Sequence, residues 1–396
     1  MTVPLSPADW DRGHRTLAAC IGAYFGIRVC QVVVGSVVPG IIETFSVRRG
    51  TVGLVLTSMW VVYALVQLPS GILADRVGER AVVVAALGLT ATATLGLALA
   101  PVFAGVGLAV AAIGGGAGIY YNPATTLLDR SSEGLGQAIG FHRIGAQTAG
   151  VVAPAGAAVV ALRYGWRETM VFAAVSVVLV TVVFVRGTQP VDPEGGGASL
   201  STLLDTALLR SILGRVHTHT TTFMMTLVEF VGVSTMAFLP TLLLEHHGLS
   251  GPSANLLFAL YFGVGATFQP FAGWLSDRYG RERTVAVLAG AGVVGYGGLA
   301  LGGPFVAVGT AVGLTGIAMS CTPVVQSRML DGLPTAERGA GFGVFRTSYL
   351  LLGASGTVVV GTLADRSGWE TATGLLSLCF LAIFLVALAA KPTDSA

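Results

Sequence analysis

The chain has 396 residues, of which 53% are hydrophobic and only 11% are charged, and its mean hydropathy is +0.78. Soluble domains carry roughly a quarter of their residues as charged side chains, so this composition excludes a water-soluble globule. The net charge of +2 is also too small for nucleic-acid binding, which needs clustered Lys and Arg. The sequence therefore predicts a protein embedded in the lipid bilayer, with no nucleic-acid partner.

Long stretches without charge predict the membrane spans, because a helix needs about 20 mainly apolar residues to cross the hydrocarbon core. In chain order these spans cover residues 16–42, 51–74, 81–128, 144–162, 169–185, 216–244, 253–275, 284–327, 347–364 and 371–390. Two of them, 81–128 and 284–327, are each long enough for two crossings, with turns at Pro101 and Pro304. The segments are too long and too uniformly apolar for barrel strands, so the predicted fold is all-α, with twelve transmembrane helices.

The distribution of basic residues predicts the orientation. If both termini lie on the same side, 16 of the 22 Lys and Arg residues fall on that side. Cytoplasmic loops carry the excess of basic residues, so we expect both termini to be cytoplasmic, in a multi-pass protein of the cell membrane. The longest polar stretch, residues 187–214, is the predicted cytoplasmic linker between two six-helix bundles, residues 1–186 and 215–396.

The two halves of the sequence repeat at an offset of about 200 positions. Shifting one half by 201–203 residues places Arg28 on Glu229, Gln67 on Gln269 and Asp75 on Asp277. A common offset along a whole half indicates duplication, which many secondary transporters share. The two six-helix bundles are therefore predicted to be pseudo-symmetric.

A charged loop occurs twice at equivalent places. Residues 71–80 read GILADRVGER, and residues 273–283 read GWLSDRYGRER. Both resemble the signature loop of the major facilitator superfamily, which has a Gly, then an Asp, a basic residue, a second Gly and further basic residues. The resemblance covers the whole chain, because the helix count and the central linker agree with it. Glu79 departs from the basic residue that is usual at its position.

Physical chemistry gives these loops a role in gating. The first glycines would let neighbouring backbones approach closely, and the second glycines would permit tight turns. The aspartates can accept hydrogen bonds from helix N-terminal amides, which the resemblance assigns to the other half. The nearby arginines could pair with the acids that end helices four and ten, or the loops could be simple solvated turns. The predicted gating residues are Gly71, Asp75, Arg76, Gly78, Arg80, Asp129, Gly273, Asp277, Arg278, Gly280, Arg281 and Asp331.

The sequence predicts secondary transport without a cofactor. A phosphate-binding P-loop needs Gly-Lys-Ser/Thr, whereas the chain's single lysine, Lys391, follows Ala390. The glycine-rich residues 114–118 lie inside a predicted helix, where close helix packing explains them. The four cysteines lack metal-ligand spacing and are expected to act as small buried hydrophobes.

Four charges lie inside predicted spans, where they are costly and normally face the bundle interior. Arg28 and Glu229 sit midway along helices one and seven; they form either a central ion pair in which Glu229 exchanges a proton, or a purely structural pair. Arg143 and Arg346 lie about two turns inside helices five and eleven. They either attract an anionic substrate or serve gating by pairing with nearby acids such as Glu133 and Glu337.

Polar and aromatic side chains at similar depth complete the predicted substrate or coupling site. Each has packing against neighbouring helices as its alternative role. They are Gln31, Tyr120, Asn122, Gln147, Gln326 and Tyr349.

These observations predict a secondary transporter that moves a small organic solute by alternating access, with an organic anion as one candidate. We expect coupling to an ion or to H⁺, and a monomer. Gly140 and Pro154 retain part of the helix-five pattern of efflux antiporters, which favours efflux and leaves uptake open. The alternatives are a non-transporting sensor of the same fold and an uptake carrier for an organic anion. An enzyme is not expected, because no acid pair fits catalysis better than gating.

Overall fold

The computed structural model describes residues 12–131, 135–189, 216–331 and 338–390, and all regular elements in these ranges are α-helices. Hydrophobic length decides where the helices form, and glycine or proline separates many of them. The helices are α1 (Arg12–Phe45), α2 (Arg49–Val77), α3 (Glu79–Leu99), α4 (Phe103–Ser131), α5 (Leu135–Arg163), α6 (Trp166–Gly187), α7 (Val216–Glu245), α8 (Gly251–Tyr279), α9 (Arg281–Leu301), α10 (Phe305–Met319), α11 (Cys321–Asp331), α12 (Arg338–Gly353) and α13 (Gly356–Ala389).

These helices provide twelve crossings, as the sequence predicts. Within the described ranges, eleven stretches are long and apolar enough to cross a membrane. The last of them, Gly343–Ala389, has 47 residues and is divided at Gly368, whose φ of 80° is not helical. α10 and α11 belong to one crossing, interrupted at Ser320.

The chain forms two compact units. Unit 1 contains α1, α2 from Ser58 onward, and α3–α6; unit 2 contains Ser46–Thr57 and α7–α13. The first turns of α2 therefore belong to unit 2, although the sequence places them in the N-terminal bundle. Residues 190–215, which include most of the predicted linker, and the acids Glu133 and Glu337 lie outside the described residues.

Both units use the same helix pairing. In unit 1, α1 packs on α5 and α6, and α3 packs on α4 and α6. In unit 2, α7 packs on α12 and α13, and α9 packs on α10 and α13. The predicted duplication is thus visible in the packing of the helices as well as in the sequence.

Glycines bring helix backbones together at matching positions of the two units. A Cβ added to Gly114 in α4 would collide with the backbone carbonyl of Met59 in α2. A Cβ added to Gly316 in α10 would lie 2.6 Å from the carbonyl oxygen of Tyr261 in α8. Small residues at such crossings allow close van der Waals packing, which drives helix association in lipid. The packing role predicted for residues 114–118 agrees with this geometry.

The signature loops contain tight turns but not the close contacts expected of their first glycines. Gly78 and Gly280 have φ angles of 88° and 93°, a region that favours glycine. Gly71 and Gly273 face open space, because a Cβ added to either would meet no atom within 4 Å. The expected close approach of backbones at these two glycines therefore does not occur within either unit.

Candidate functional site

Halfway along α1, Arg28 and Gln31 form a hydrogen-bonded pair. Arg28 Nη1 donates to Gln31 Oε1 at 2.8 Å. Only 1% of Gln31 is exposed, and its Nε2 has no hydrogen-bond partner within the described residues. A buried donor without a partner costs free energy, so this position suits a ligand that brings an acceptor oxygen.

An aromatic cluster in unit 1 surrounds His142, which the sequence analysis does not single out. His142 is fully buried, and its ring stacks on Tyr24 with centroids 4.6 Å apart. Its Nε2 lies 2.7 Å from the hydroxyl oxygen of Tyr120, which itself donates to the carbonyl of Cys20 at 2.8 Å. A search for charged residues misses His142, because a neutral histidine does not interrupt an apolar span.

Asn122 joins α4 to α2. Its Nδ2 donates to the backbone carbonyl of Gln67 at 2.6 Å, and Gln67 itself is 5% exposed. Ser70 donates to the same carbonyl at 2.7 Å. The contact is a helix-to-helix bond, so Asn122 performs the packing role that the sequence analysis left open as its alternative.

In unit 2, the predicted residues Gln326 and Tyr349 meet across α11 and α12. Gln326 Nε2 donates to the Tyr349 hydroxyl at 3.3 Å, and Tyr349 packs edge-to-face on Phe345. The backbone of α12 lies directly against Glu229, because a Cβ on Gly353 would be 2.7 Å from Glu229 Cβ. Four further predicted residues, Arg28, Arg143, Gln147 and Arg346, are half-buried within their helices.

The first signature loop has a different ion pair from the expected one. Arg130 Nη2 lies 3.0 Å from Glu79 Oε1, although the angle does not make an aligned hydrogen bond. Arg80 donates to Thr188 Oγ1 at 3.2 Å and to the Val185 carbonyl at 2.9 Å. The Arg80 side chain turns toward the end of α6, so Arg80 does not use Asp129, one of the acids that the loop arginines could pair with.

The second loop contains an Arg–Asp pair of the kind the sequence suggests. Arg281 Nε lies 2.5 Å from Asp331 Oδ2. Arg328, which is 5% exposed, lies 3.4 Å from Glu282 and also bonds to Thr221 of α7. Sequence reasoning missed Arg328 because it directly follows the uncharged stretch 284–327 and so falls just outside the predicted span.

The aspartates of the two signature loops, Asp75 and Asp277, take no part in these ion pairs. Neither Asp75 nor Asp277 has a side-chain hydrogen bond or ion pair to the described residues of its own unit. Arg278 instead lies over the rings of Trp274 and Tyr279, with its guanidinium carbon 5.9 and 5.8 Å from their centroids. Arg76 is exposed on the surface of α2.

A second ion cluster in unit 2, called the Arg49 cluster, consists of Arg49, Glu245 and Asp365. Arg49 Nη2 lies 2.7 Å from Glu245 Oε2, and Arg49 Nη1 lies 3.0 Å from Asp365 Oδ1. Asp365 also accepts the backbone amides of Arg49 and Gly50 at 3.2 and 2.8 Å. A carboxylate at a helix N-terminus is favourable, so the arrangement predicted for the loop aspartates occurs at the start of α2.

The comparisons with known proteins agree with this architecture. The sequence profile of the Major Facilitator Superfamily matches residues 20–349 and 220–396. No curated protein matches the sequence.

Solved transporters have the same fold at low sequence identity. A bacterial homologue of the human lysosomal transporter Spinster superposes with a TM-score of 0.77 at 17% identity, covering 96% of this chain and 95% of that one. The nucleoside transporter NupG gives 0.76 at 14% identity, with 96% and 99% covered. A D-xylose–proton symporter gives 0.72 at 16% identity, with 96% and 98% covered. The chain belongs to the Major Facilitator Superfamily and is an integral membrane secondary transporter, not an enzyme.

Proposed function

We propose that this transporter carries a small organic anion by alternating access. The observation that carries this proposal is the arrangement of donors on α1. The guanidinium of Arg28 lies beside the Gln31 amide, whose buried Nε2 lacks a partner among the described residues. A carboxylate or phosphate oxygen is the acceptor that such donors bind best, because arginine binds these groups bidentately.

The other intramembrane charges support the same substrate class. Arg143 and Arg346 lie half-buried inside α5 and α12, whereas Glu229 in α7 is the one carboxylate within the predicted spans. An excess of positive charge inside the spans raises the local concentration of anions. Arg28 belongs to unit 1 and Glu229 to unit 2, and the pairing between them stays a prediction.

We further propose that transport is coupled to H⁺ or another ion. Glu229 is one candidate for the coupling group, with a structural ion pair as the alternative. Replacing Glu229 by Gln keeps the volume that packs against Gly353 and removes the charge. Loss of proton-driven flux with retained counterflow would support a coupling role, whereas unchanged coupling would remove Glu229 from the mechanism.

The membrane, orientation and direction are proposals from sequence patterns. The excess of basic residues on the side of the termini supports a cell-membrane protein with cytoplasmic termini. We also propose that it acts as a monomer. Gly140 and Pro154 both lie in α5, where efflux antiporters carry such residues, so efflux is the favoured direction. Uptake of an organic anion is the competing proposal, which transport measured in vesicles of known orientation would distinguish.

Counterflow in proteoliposomes tests the substrate class. Organic anions are compared with cations of similar size as competitors for a labelled monocarboxylate. We expect anions to compete, and Gln31→Leu to weaken that competition about tenfold, as a lost hydrogen bond to a charged group would. Gln137→Leu is the matched control, because Gln137 is exposed near the beginning of α5. Competition by cations alone would overturn the proposal.

A further inference from the structure

The hydrogen bonds around His142 define which ring nitrogen carries the proton. The Tyr120 hydroxyl has one hydrogen, and it donates that hydrogen to the Cys20 carbonyl at 2.8 Å. The hydroxyl can then only accept in its 2.7 Å bond with His142, so Nε2 of the histidine is the donor. Neutral His142 therefore carries its proton on Nε2 and a lone pair on Nδ1.

That lone pair is an unused base inside the protein. Nδ1 of His142 is buried and has no hydrogen-bond partner among the described residues. The ring lies against the face of Tyr24, 4.6 Å between centroids, with Tyr120 and Tyr121 at 5.8 and 6.2 Å. Aromatic faces attract cations, so this surrounding stabilises an imidazolium once a proton arrives.

The charged groups near the ring are basic. Arg143 is the next residue of α5, and Arg28 lies one turn beyond Tyr24 on α1. The remaining titratable neighbours are a thiol and four phenols: Cys20 and Tyr24 on α1, Tyr120 and Tyr121 on α4, and Tyr63 on α2 beside Tyr24. The described carboxylates of unit 1 lie near the ends of their helices: Glu43, Asp75, Glu79, Asp129 and Glu168.

We propose that Nδ1 of His142 is a proton-binding site whose affinity depends on an anion held by Arg28 and Arg143. This proposal rests on the proposed transport of an organic anion. An anion that neutralises the two arginines removes their repulsion of the imidazolium, so anion and proton bind cooperatively. The coupling is reciprocal by thermodynamic necessity, which gives symport of the anion with H⁺. An inward proton gradient would then drive uptake, so this linkage favours the uptake proposal over efflux.

The proton balance is simple. A hydronium ion of the bulk solution gives its proton, through the water that enters with the solute, to Nδ1 and becomes water, and the imidazolium keeps its Nε2–H bond to the Tyr120 oxygen. The new Nδ1–H then has a carboxylate oxygen of the solute, or water, as its acceptor. When solute and proton leave, the ring returns to the neutral form with its proton on Nε2. The equivalent position of unit 2 is Phe345, which cannot take a proton, so the site belongs to unit 1 alone.

Histidine-selective ¹⁵N NMR of the whole protein in lipid nanodiscs tests the site itself. The resonances that disappear in His142→Gln identify the residue. We expect a neutral ring protonated on Nε2 near pH 7, with a second proton added at Nδ1 as the pH falls. A ring protonated on Nδ1 near pH 7, or one that stays neutral throughout the acid titration, would overturn the proposal. His246→Gln is the control and leaves these resonances unchanged.

Adding benzoate as the probe anion tests the linkage. We expect benzoate to move the titration of His142 to higher pH by about one unit, a tenfold gain in proton affinity, in the wild type but not in Arg143→Gln. An unmoved titration while thermal stabilisation shows benzoate bound would overturn the linkage. If neither benzoate nor larger carboxylates bind, the proposed anion transport and its linkage fail together. The NMR titration then still decides independently whether Nδ1 is a proton site.

Discussion

Glu79 Oε1 lies 3.0 Å from Arg130 Nη2, and only 1% of the Glu79 side chain is exposed. The matching place in unit 2 carries the opposite arrangement, because there Arg281 at the start of α9 meets Asp331 at the end of α11. The two signature loops thus tie the same pair of helices together with the charges exchanged. Glu79, which departs from the usual loop pattern, keeps an ion pair because its partner has changed sign as well.

Removing one member of the first pair should destabilise unit 1 strongly. Arg130→Ala leaves the buried Glu79 carboxylate without its counter-charge, which costs about 3 kcal/mol in the free energy of unfolding. Thermal unfolding in detergent measures the effect. We expect the double variant with Glu79→Arg and Arg130→Asp to recover most of the stability lost in Glu79→Arg, because it copies the arrangement of unit 2.

The second pair provides the control. The Asp331 side chain is 50% exposed, so Asp331→Asn should cost less than about 1 kcal/mol. An equal loss of stability in Arg130→Ala and Asp331→Asn would contradict the view that burial makes the first pair the stronger one.

The two signature loops show which features of the fold can be predicted from the sequence and which cannot. Helix positions were predictable because apolar length is a local property of the chain, and the tight turns at Gly78 and Gly280 followed from the motif. The partner of Arg80 was not predictable, because its side chain had two directions available. It points to Thr188 and Val185 rather than to Asp129, and only the position of α6 decides this.

Two glycines of unit 1 should respond oppositely to alanine. Gly114→Ala places a methyl group onto the backbone carbonyl of Met59, and overpacking of this kind costs about 1–3 kcal/mol. Gly71→Ala meets no atom within 4 Å and gains up to about 1 kcal/mol of helix propensity. Apparent melting temperatures measure both. A lowered melting temperature in Gly71→Ala together with an unchanged one in Gly114→Ala would contradict the packing described above.

The Arg49 cluster shows a second limit of sequence reasoning. Arg49 is 196 positions from Glu245 and 316 from Asp365, and each of the three is a charge just outside a predicted span. Their association depends on the first turns of α2 lying in unit 2, which no local pattern indicates.

His142 was missed for a different reason, since its importance lies in one unpartnered nitrogen that composition cannot reveal.

Breaking the Arg49 cluster should loosen the beginning of α2. Val52, in the second turn, is 2% exposed, and all four native cysteines are buried. A cysteine introduced by Val52→Cys should react with a membrane-impermeant maleimide about three to ten times faster when Arg49→Gln is added, because exposed ion pairs contribute roughly 1 kcal/mol. Arg48→Gln removes the same charge from an exposed neighbour and is the matched control. Equal acceleration by both substitutions would rule out a specific role for the cluster.

Acidification should weaken the turn that follows α7. Burial and the neighbouring His246 lower the pKa of His247, while a hydrogen bond with the backbone of Leu299 raises it by a smaller amount. His246 lies edge-to-face against His247 and donates to the Ala300 carbonyl at 3.3 Å. The folded turn after α7 therefore favours the neutral form of His247.

The sign of the effect follows from that lowered pKa. When the turn is detached from unit 2, His247 binds a proton near pH 6.5, about the ordinary value for histidine. In the folded turn His247 binds a proton only at lower pH, so stability is lost as the pH falls through this window. The apparent melting temperature should fall between about pH 7.5 and about pH 5.5. His247→Gln should reduce this fall, because glutamine stays neutral at both pH values. His219→Gln, at an exposed position of α7, should leave the fall unchanged. If His247→Gln melts with the same pH dependence as the wild type, another group controls the acid sensitivity and the turn is not held by neutral His247.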